Sequence, residues 1–176
     1  MTKYGVFILT VLSLSFTAVH ESNAQFINLQ IRIEPEITAK VEQNLNFGEL
    51  VINSGEKFIG LGDLNMGVFS IRALHTQSVF LSMNTTEALV HTNPFLNDEI
   101  PINLNIAYNN TGDNNANHSV ELTGDLVYLP IYNNLENPNP STVWQELYLY
   151  VFGTIEVGEV ATGEYFSELT LVVQYD

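Results

Sequence analysis

The sequence predicts an all-β protein that folds as an antiparallel β-sandwich and is preceded by a signal peptide. Apolar and polar residues alternate along most of the chain, which is the pattern of half-buried strands. Turn-forming residues separate these segments, and no amphipathic helical pattern follows the N-terminal apolar run. These observations favour roughly eight to ten short strands in a single domain of residues 25–176.

The first 24 residues have the organisation of a secretory signal peptide. Lys3 supplies a positive charge, residues 5–16 form an apolar run, and small residues at Ser22 and Ala24 suit cleavage after Ala24. A membrane anchor is the alternative, but a spanning helix needs about 20 apolar residues. The sequence therefore predicts a secreted protein of the periplasm or cell surface, with no membrane span after signal cleavage.

The alternation is clearest near the two ends of the predicted domain. In residues 147–152 both alternating sets are apolar or aromatic, which predicts a central strand covered on both faces. The predicted first strand has four aliphatic residues in alternation with polar ones, namely Ile27, Leu29, Ile31 and Ile33. The predicted last strand has Leu169, Leu171, Val173 and Tyr175 in the same arrangement.

Shorter segments fill the chain between these ends. Extended segments are predicted at residues 37–41, 50–52, 58–61, 68–74, 79–83, 100–108 and 120–129. Turn-rich loops are predicted at residues 84–99, 109–117 and 133–141.

The charge balance and the absence of cysteine exclude several classes of protein. Twenty acidic residues against five basic ones give a net charge of −15. Such a chain repels phosphate, so binding to nucleic acid or to an anionic membrane is disfavoured. Without cysteine there is no disulfide, no thiol chemistry and no cysteine-ligated metal. Stability must then come from strand pairing and core packing.

No combination of residues predicts a catalytic centre or a cofactor. His75, His91 and His118 are far apart and lack the close spacing of zinc ligands. The segment that starts at Asp113 begins like a calcium loop, but His118 replaces the required glycine and Gly124 the final acid. An irregular calcium site there stays open. The acids form no distinct catalytic pair, so we expect a non-enzymatic protein.

Trp144 is the basis of an alternative function. Its ring, together with Tyr148 and Tyr150 on the strand that follows, could lie against the apolar face of a sugar. Strand tyrosines are equally explained by packing, because aromatic residues are favoured in sheets. The alternative is therefore an extracellular carbohydrate-binding module with a contact at Trp144.

Three short motifs occur in a fixed order along the chain. They are Leu45-Asn46-Phe47-Gly48, then Gly67-Val68-Phe69-Ser70-Ile71, then Gly163-Glu164-Tyr165 before the last strand. In this order the chain resembles an uncharacterised family of secreted bacterial Ig-like β-sandwich domains. That family is similar in turn to spore-coat-U-like and chaperone–usher pilin subunits. The resemblance covers nearly all of residues 25–176 and marks Leu45, Phe47, Gly48, Phe69, Gly163 and Tyr165 as structural motif positions.

What the resemblance implies is assembly. Pilins of that type have an incomplete sandwich that accepts a donor strand from a neighbour, a form of β-strand addition. The four aliphatic residues from Ile27 to Ile33 have the alternation that a donor strand needs. The alternative, which the resemblance favours because the uncharacterised family often starts with such a strand, is that they form the domain's own first strand. Many pilins carry a disulfide that this chain lacks, which weakens the resemblance to classical pilins but not that to spore-coat-U-like proteins or to the uncharacterised family. The leading prediction is a cell-surface or fimbria-like structural subunit that pairs with itself or with other surface subunits.

Overall fold

The computed structural model describes residues 36–124 and 126–175, which fold almost entirely into β-strands. The predicted signal peptide and the predicted strand at residues 27–33 lie outside the described residues. The described strands are β1 (Thr38–Gln43), β2 (Gly55–Ile59), β3 (Gly67–Leu74), β4 (Ser78–Asn84), β5 (Ala88–His91), β6 (Glu99–Asn109), β7 (Val120–Glu121), β8 (Leu126–Pro130), β9 (Trp144–Val157), β10 (Tyr165–Phe166) and β11 (Thr170–Tyr175). A single 3₁₀ turn, Ala116–His118, lies between β6 and β7.

The larger sheet is organised around β9, its longest strand. The strand order is β1-β3-β9-β6-β5-β10, and every pair in it is antiparallel. β3 pairs with the first part of β9, and β2 pairs with the last part, from Gly153 to Val157. β7 adds a short pairing to β6. The central position of β9 explains why its residues are apolar on both faces.

The smaller sheet contains three strands in the order β11-β4-β8 and packs against one part of the larger sheet. The main core lies between the two sheets, because the strands of both contribute alternate residues to it. Its fully buried members include Ile71 of β3, Leu81 of β4 and Leu149 of β9. Alternate residues of β11, including Leu171 and Val173, close this core from the edge of the small sheet.

The opposite face of the larger sheet has its own apolar layer, centred on Tyr150 and Phe152. Tyr150 has no exposed surface, and its hydroxyl donates to Asn114 Oδ1 at 3.0 Å. Burial raises the pKa of Tyr150 to about 12, since the phenolate would lose its hydration. Met66 and Ala116, from two connecting loops, cover this layer.

The structure confirms the predicted all-β sandwich and the central strand with two covered faces. It corrects three local predictions. The predicted extended segment 50–52 forms no strand and ends in a turn. The turn-rich region contains β5, which is held by pairing with β6, and the predicted strand 120–129 is divided between β7 and β8 in different sheets. β9 runs through Gly153, where a Cβ atom would overlap the carbonyl oxygen of Asn103 in β6. No described helix is long and apolar enough to cross a membrane.

Candidate binding groove

The small sheet faces only part of the inner face of the larger sheet. Its three strands cover the half of β9 that pairs with β3, where the main core lies. Beyond the small sheet, the inner face forms the floor of a groove of about 1140 Å³. We call this feature the groove; its floor is formed by β6 and β9 and its walls by residues 43–52 and 160–170.

The floor of the groove is aliphatic. Leu104 and Ile102 of β6 and Val151, Ile155 and Val157 of β9 line it. These residues share one face because successive inward positions on a strand are two residues apart. Ile155 and Val157 are also buried in a small cluster at the far end of the sheet. The floor is therefore a continuous aliphatic surface, in which Ile102 and Leu104 are the partly exposed positions.

The first wall continues from β1 and has no regular strand between residues 44 and 50. Leu45 packs against the main core and Phe47 against the cluster at the far end of the sheet. The backbone N–H of Asn46 donates to Asn65 O at 3.0 Å, and that of Gly48 donates to Asn46 Oδ1 at 2.8 Å. These bonds hold the two apolar side chains at the mouth of the groove.

The second wall depends on a contact between β5 and β10. His91 Nδ1 accepts a hydrogen bond from the backbone N–H of Asn93 at 2.8 Å, and its ring lies edge-to-face with Tyr165 at 4.9 Å between ring centroids. Gly163 lies so close to this imidazole that a Cβ atom there would overlap it. The Tyr165 hydroxyl donates to Ala161 O at 2.8 Å.

Both burial and charge act on Tyr165. Its pKa is raised above the ordinary value, first because the phenol is partly removed from water and second because the Asp98 carboxylate lies nearby. The hydroxyl therefore stays protonated and remains a donor to Ala161 throughout the neutral range. In this state the hydrogen bond from Tyr165 ties β10 to the loop before it.

The rim of the groove is negatively charged. Glu49 lies on the first wall, and Glu164 and Glu168 lie on the second. Among the described residues that line the groove there is no lysine or arginine. An occupant that carries a positive charge, or none, is favoured over an acidic one.

The structure brings all six motif residues of the sequence analysis to this groove. They are Leu45, Phe47, Gly48, Phe69, Gly163 and Tyr165, which line it from both walls and from β3. Trp144 is separate from them. It is half-buried at the start of β9, with the guanidinium carbon of Arg72 5.4 Å from the ring centroid. The candidate strand residues Ile27, Leu29, Ile31 and Ile33 lie outside the described residues.

Sequence reasoning missed the floor of the groove. Ile102 and Leu104 were predicted as strand residues, and nothing in a strand pattern shows which inward positions lie beyond the partner sheet. Within the described residues there is no cluster of three or more histidine or acidic side chains that could hold a metal ion.

Comparison with known proteins adds no relative. No protein-family model matches the sequence, and no curated protein shows significant similarity to it. The fold class stands on the strand pairing described above, and the resemblance to secreted pilin-like domains stays a prediction. The groove is therefore the structural basis for a proposed function.

Proposed function

We propose that this protein is a secreted, non-enzymatic structural subunit of the cell surface, of fimbria-like type, that assembles by β-strand addition. The groove is the observation that carries the proposal. Its floor is aliphatic, and it follows the inner face of a sheet whose partner sheet has three strands among the described residues. A groove with this shape suits an extended segment that presents alternate apolar side chains.

Residues 27–33 have the composition that such a groove requires. Ile27, Leu29, Ile31 and Ile33 alternate with polar residues, so one face of the extended segment would meet the floor. The segment contains no acidic residue, and Arg32 is its one charged side chain. A positive charge at this position complements the three glutamates on the rim.

Burial of four aliphatic side chains gives the association a strong driving force. Each contributes about 1.5 to 3 kcal/mol when fully removed from water, against the entropy lost in ordering the segment. Backbone hydrogen bonds to a groove wall add directional specificity, as in other cases of strand addition. The segment of one molecule would then hold the next molecule in a fixed orientation.

Self-association of the purified exported protein tests the proposal. Size-exclusion chromatography with light scattering, followed by electron microscopy, should show oligomers or fibres that grow with concentration. The double substitution Leu29→Asn with Ile31→Asn should abolish them, because the face toward the floor becomes polar. The matched control, Asn28→Ser with Gln30→Ser, changes the opposite face and should assemble normally.

A mixing experiment distinguishes exchange between molecules from occupation of a molecule's own groove. Ile102→Asn damages the floor of the groove but keeps the segment, whereas the Leu29 and Ile31 variant keeps the floor. The two variants together should form a heterodimer although neither forms fibres alone. A wild-type protein that stays a monodisperse monomer at high concentration would contradict the proposal.

A further inference from the structure

The outward face of the small sheet is a second surface with a distinct chemistry. None of its three strands, β4, β8 and β11, contains a charged residue, in a chain whose net charge is −15. The outward positions alternate with the buried positions of the main core. They are Ser78, Phe80, Ser82, Asn84, Leu126, Tyr128, Pro130, Thr170, Val172 and Gln174.

Two aromatic rings lie next to each other in the middle of this face. Phe80 and Tyr128 are directly opposite each other on β4 and β8, and their ring centroids are 5.0 Å apart at an interplanar angle of 53°. Phe80 is 36% exposed and Tyr128 is 50% exposed. The core on the other side of the sheet is filled by Val79, Leu81 and Leu129, so the rings are not part of it.

Uncharged hydrogen-bonding groups surround the rings. Gln174 of β11 is opposite Phe80 on its other side, and Ser82 lies two residues further along β4. An amide and a hydroxyl can each donate and accept hydrogen bonds. The face therefore combines exposed ring surface with groups that match a hydroxyl-rich ligand.

We propose that the outward face of the small sheet binds a neutral glycan, with the rings of Phe80 and Tyr128 stacked on sugar rings and Gln174 bonded to sugar hydroxyls. Sugars present an apolar C–H face and polar edges, which is the combination found on this surface. The overall negative charge disfavours an anionic ligand. A cationic ligand would find no carboxylate in the three strands.

The geometry favours this pair over Trp144 as the stacking surface. The Arg72 guanidinium lies 5.4 Å from the centroid of the Trp144 ring, a distance typical of a cation–π contact, so that indole is already engaged. Phe80 and Tyr128 contact each other in a tilted arrangement that leaves much of both rings exposed. The glycan site is independent of the groove, because neither ring lines it.

The test uses the full chain, purified after export, and a panel of soluble neutral polysaccharides such as laminarin, mannan, xyloglucan and dextran. Native affinity electrophoresis identifies a binder, and calorimetry gives its Kd. Phe80→Ala and Tyr128→Ala should each weaken binding about tenfold or more, as loss of a central aromatic contact does. Val172→Ala, on the same face but without a ring, should change Kd less than about threefold.

Further measurements keep the result decisive. Phe80→Leu retains the apolar volume, so a folded Phe80→Leu protein that still binds poorly shows that the ring itself is needed. Binding should not change between about 0.05 and 0.5 M salt, because neither partner is charged at the contact. Trp144→Ala should leave Kd unaltered.

Three outcomes would overturn the proposal. The first is that no polysaccharide in the panel binds. The second is equal weakening by Val172→Ala and the ring substitutions, which would indicate general hydrophobic adhesion. The third is loss of self-association in the ring variants without any glycan binding, which would make this face a contact between copies. The first two outcomes leave the groove proposal untouched. The third bears on self-association as well, and the Leu29→Asn with Ile31→Asn variant then decides separately whether the groove takes part in it.

Discussion

Replacement of Gly163 by alanine should loosen the second wall of the groove. The new Cβ atom would overlap the His91 imidazole, so the ring has to move. Movement gives up the hydrogen bond from Asn93 N–H and the edge-to-face contact with Tyr165. A net hydrogen bond contributes about 0.5 to 1.5 kcal/mol, and an aromatic pair contributes about the same. The free energy of unfolding should therefore fall by about 1 to 3 kcal/mol.

Urea unfolding followed by circular dichroism measures this change, and Gly158→Ala is the matched control. A Cβ atom at Gly158 meets nothing within 4 Å, so the control reports only the general effect of alanine on the unfolded chain. The control should differ from wild type by less than about 1 kcal/mol, in the stabilising direction or not at all. The Gly163 substitution has to be compared with this value.

A double-mutant cycle with His91→Ala identifies the contact responsible. Without the imidazole the new methyl group has no ring to overlap, so Gly163→Ala should then cost only the strain of its φ of 159° beyond the effect of Gly158→Ala. The coupling free energy should be about 1 kcal/mol or larger, which is typical of residues in contact. Additive effects, or a Gly163→Ala protein as stable as the Gly158→Ala control, would show that overlap with the His91 imidazole does not cause the loss of stability.

Three further predictions follow from the packing. Leu149→Ala should lower the free energy of unfolding by about 2 to 5 kcal/mol because Leu149 is 1% exposed, whereas Val172→Ala on the surface should stay within about 0.5 kcal/mol in the same urea titration. Gly153→Ala should cost more than Gly163→Ala, since the Asn103 carbonyl cannot move without breaking strand pairing; equal costs would contradict this. Stability should fall as the pH rises from about 10 toward 12, since the unfolded chain ionises its tyrosines first, and Tyr150→Phe should make the fall shallower.

The strands were predictable where their patterning is local. One face of residues 147–152 is apolar (Leu147, Leu149 and Val151) and the other is aromatic (Tyr148 and Tyr150). This pattern predicted a central strand, and β9 lies in the centre of the larger sheet. β5 was not predictable, because residues 88–91 become a strand only through pairing with β6. The division of residues 120–130 between two sheets was not predictable either, because β7 pairs with β6 and β8 pairs with β4. The partner of β8 is distant in the sequence, whereas β5 is too short for its own pattern to predict its pairing with β6.

The groove was predictable only in its walls. The motif residues at 45–48 and 163–165 were recognised from their order along the chain, and the structure places them around one feature. The aliphatic floor has the same pattern as any buried strand face, so the sequence alone gives no sign that it lines a groove. The pair of Phe80 and Tyr128 was also missed, since their adjacency arises from the register of β4 and β8.

The construction of the walls bears on how the groove would accept a segment. Residues 44–50 form no strand, and β10 has only two residues, so few backbone pairs hold either wall. Segments with few backbone pairs open at lower free energy than a core strand such as β9. A bound segment would stabilise the walls by RT ln(1 + [L]/Kd), while the floor would change little. The His91–Gly163 contact should therefore control how tightly a segment is held, and the floor should determine which side chains are accepted.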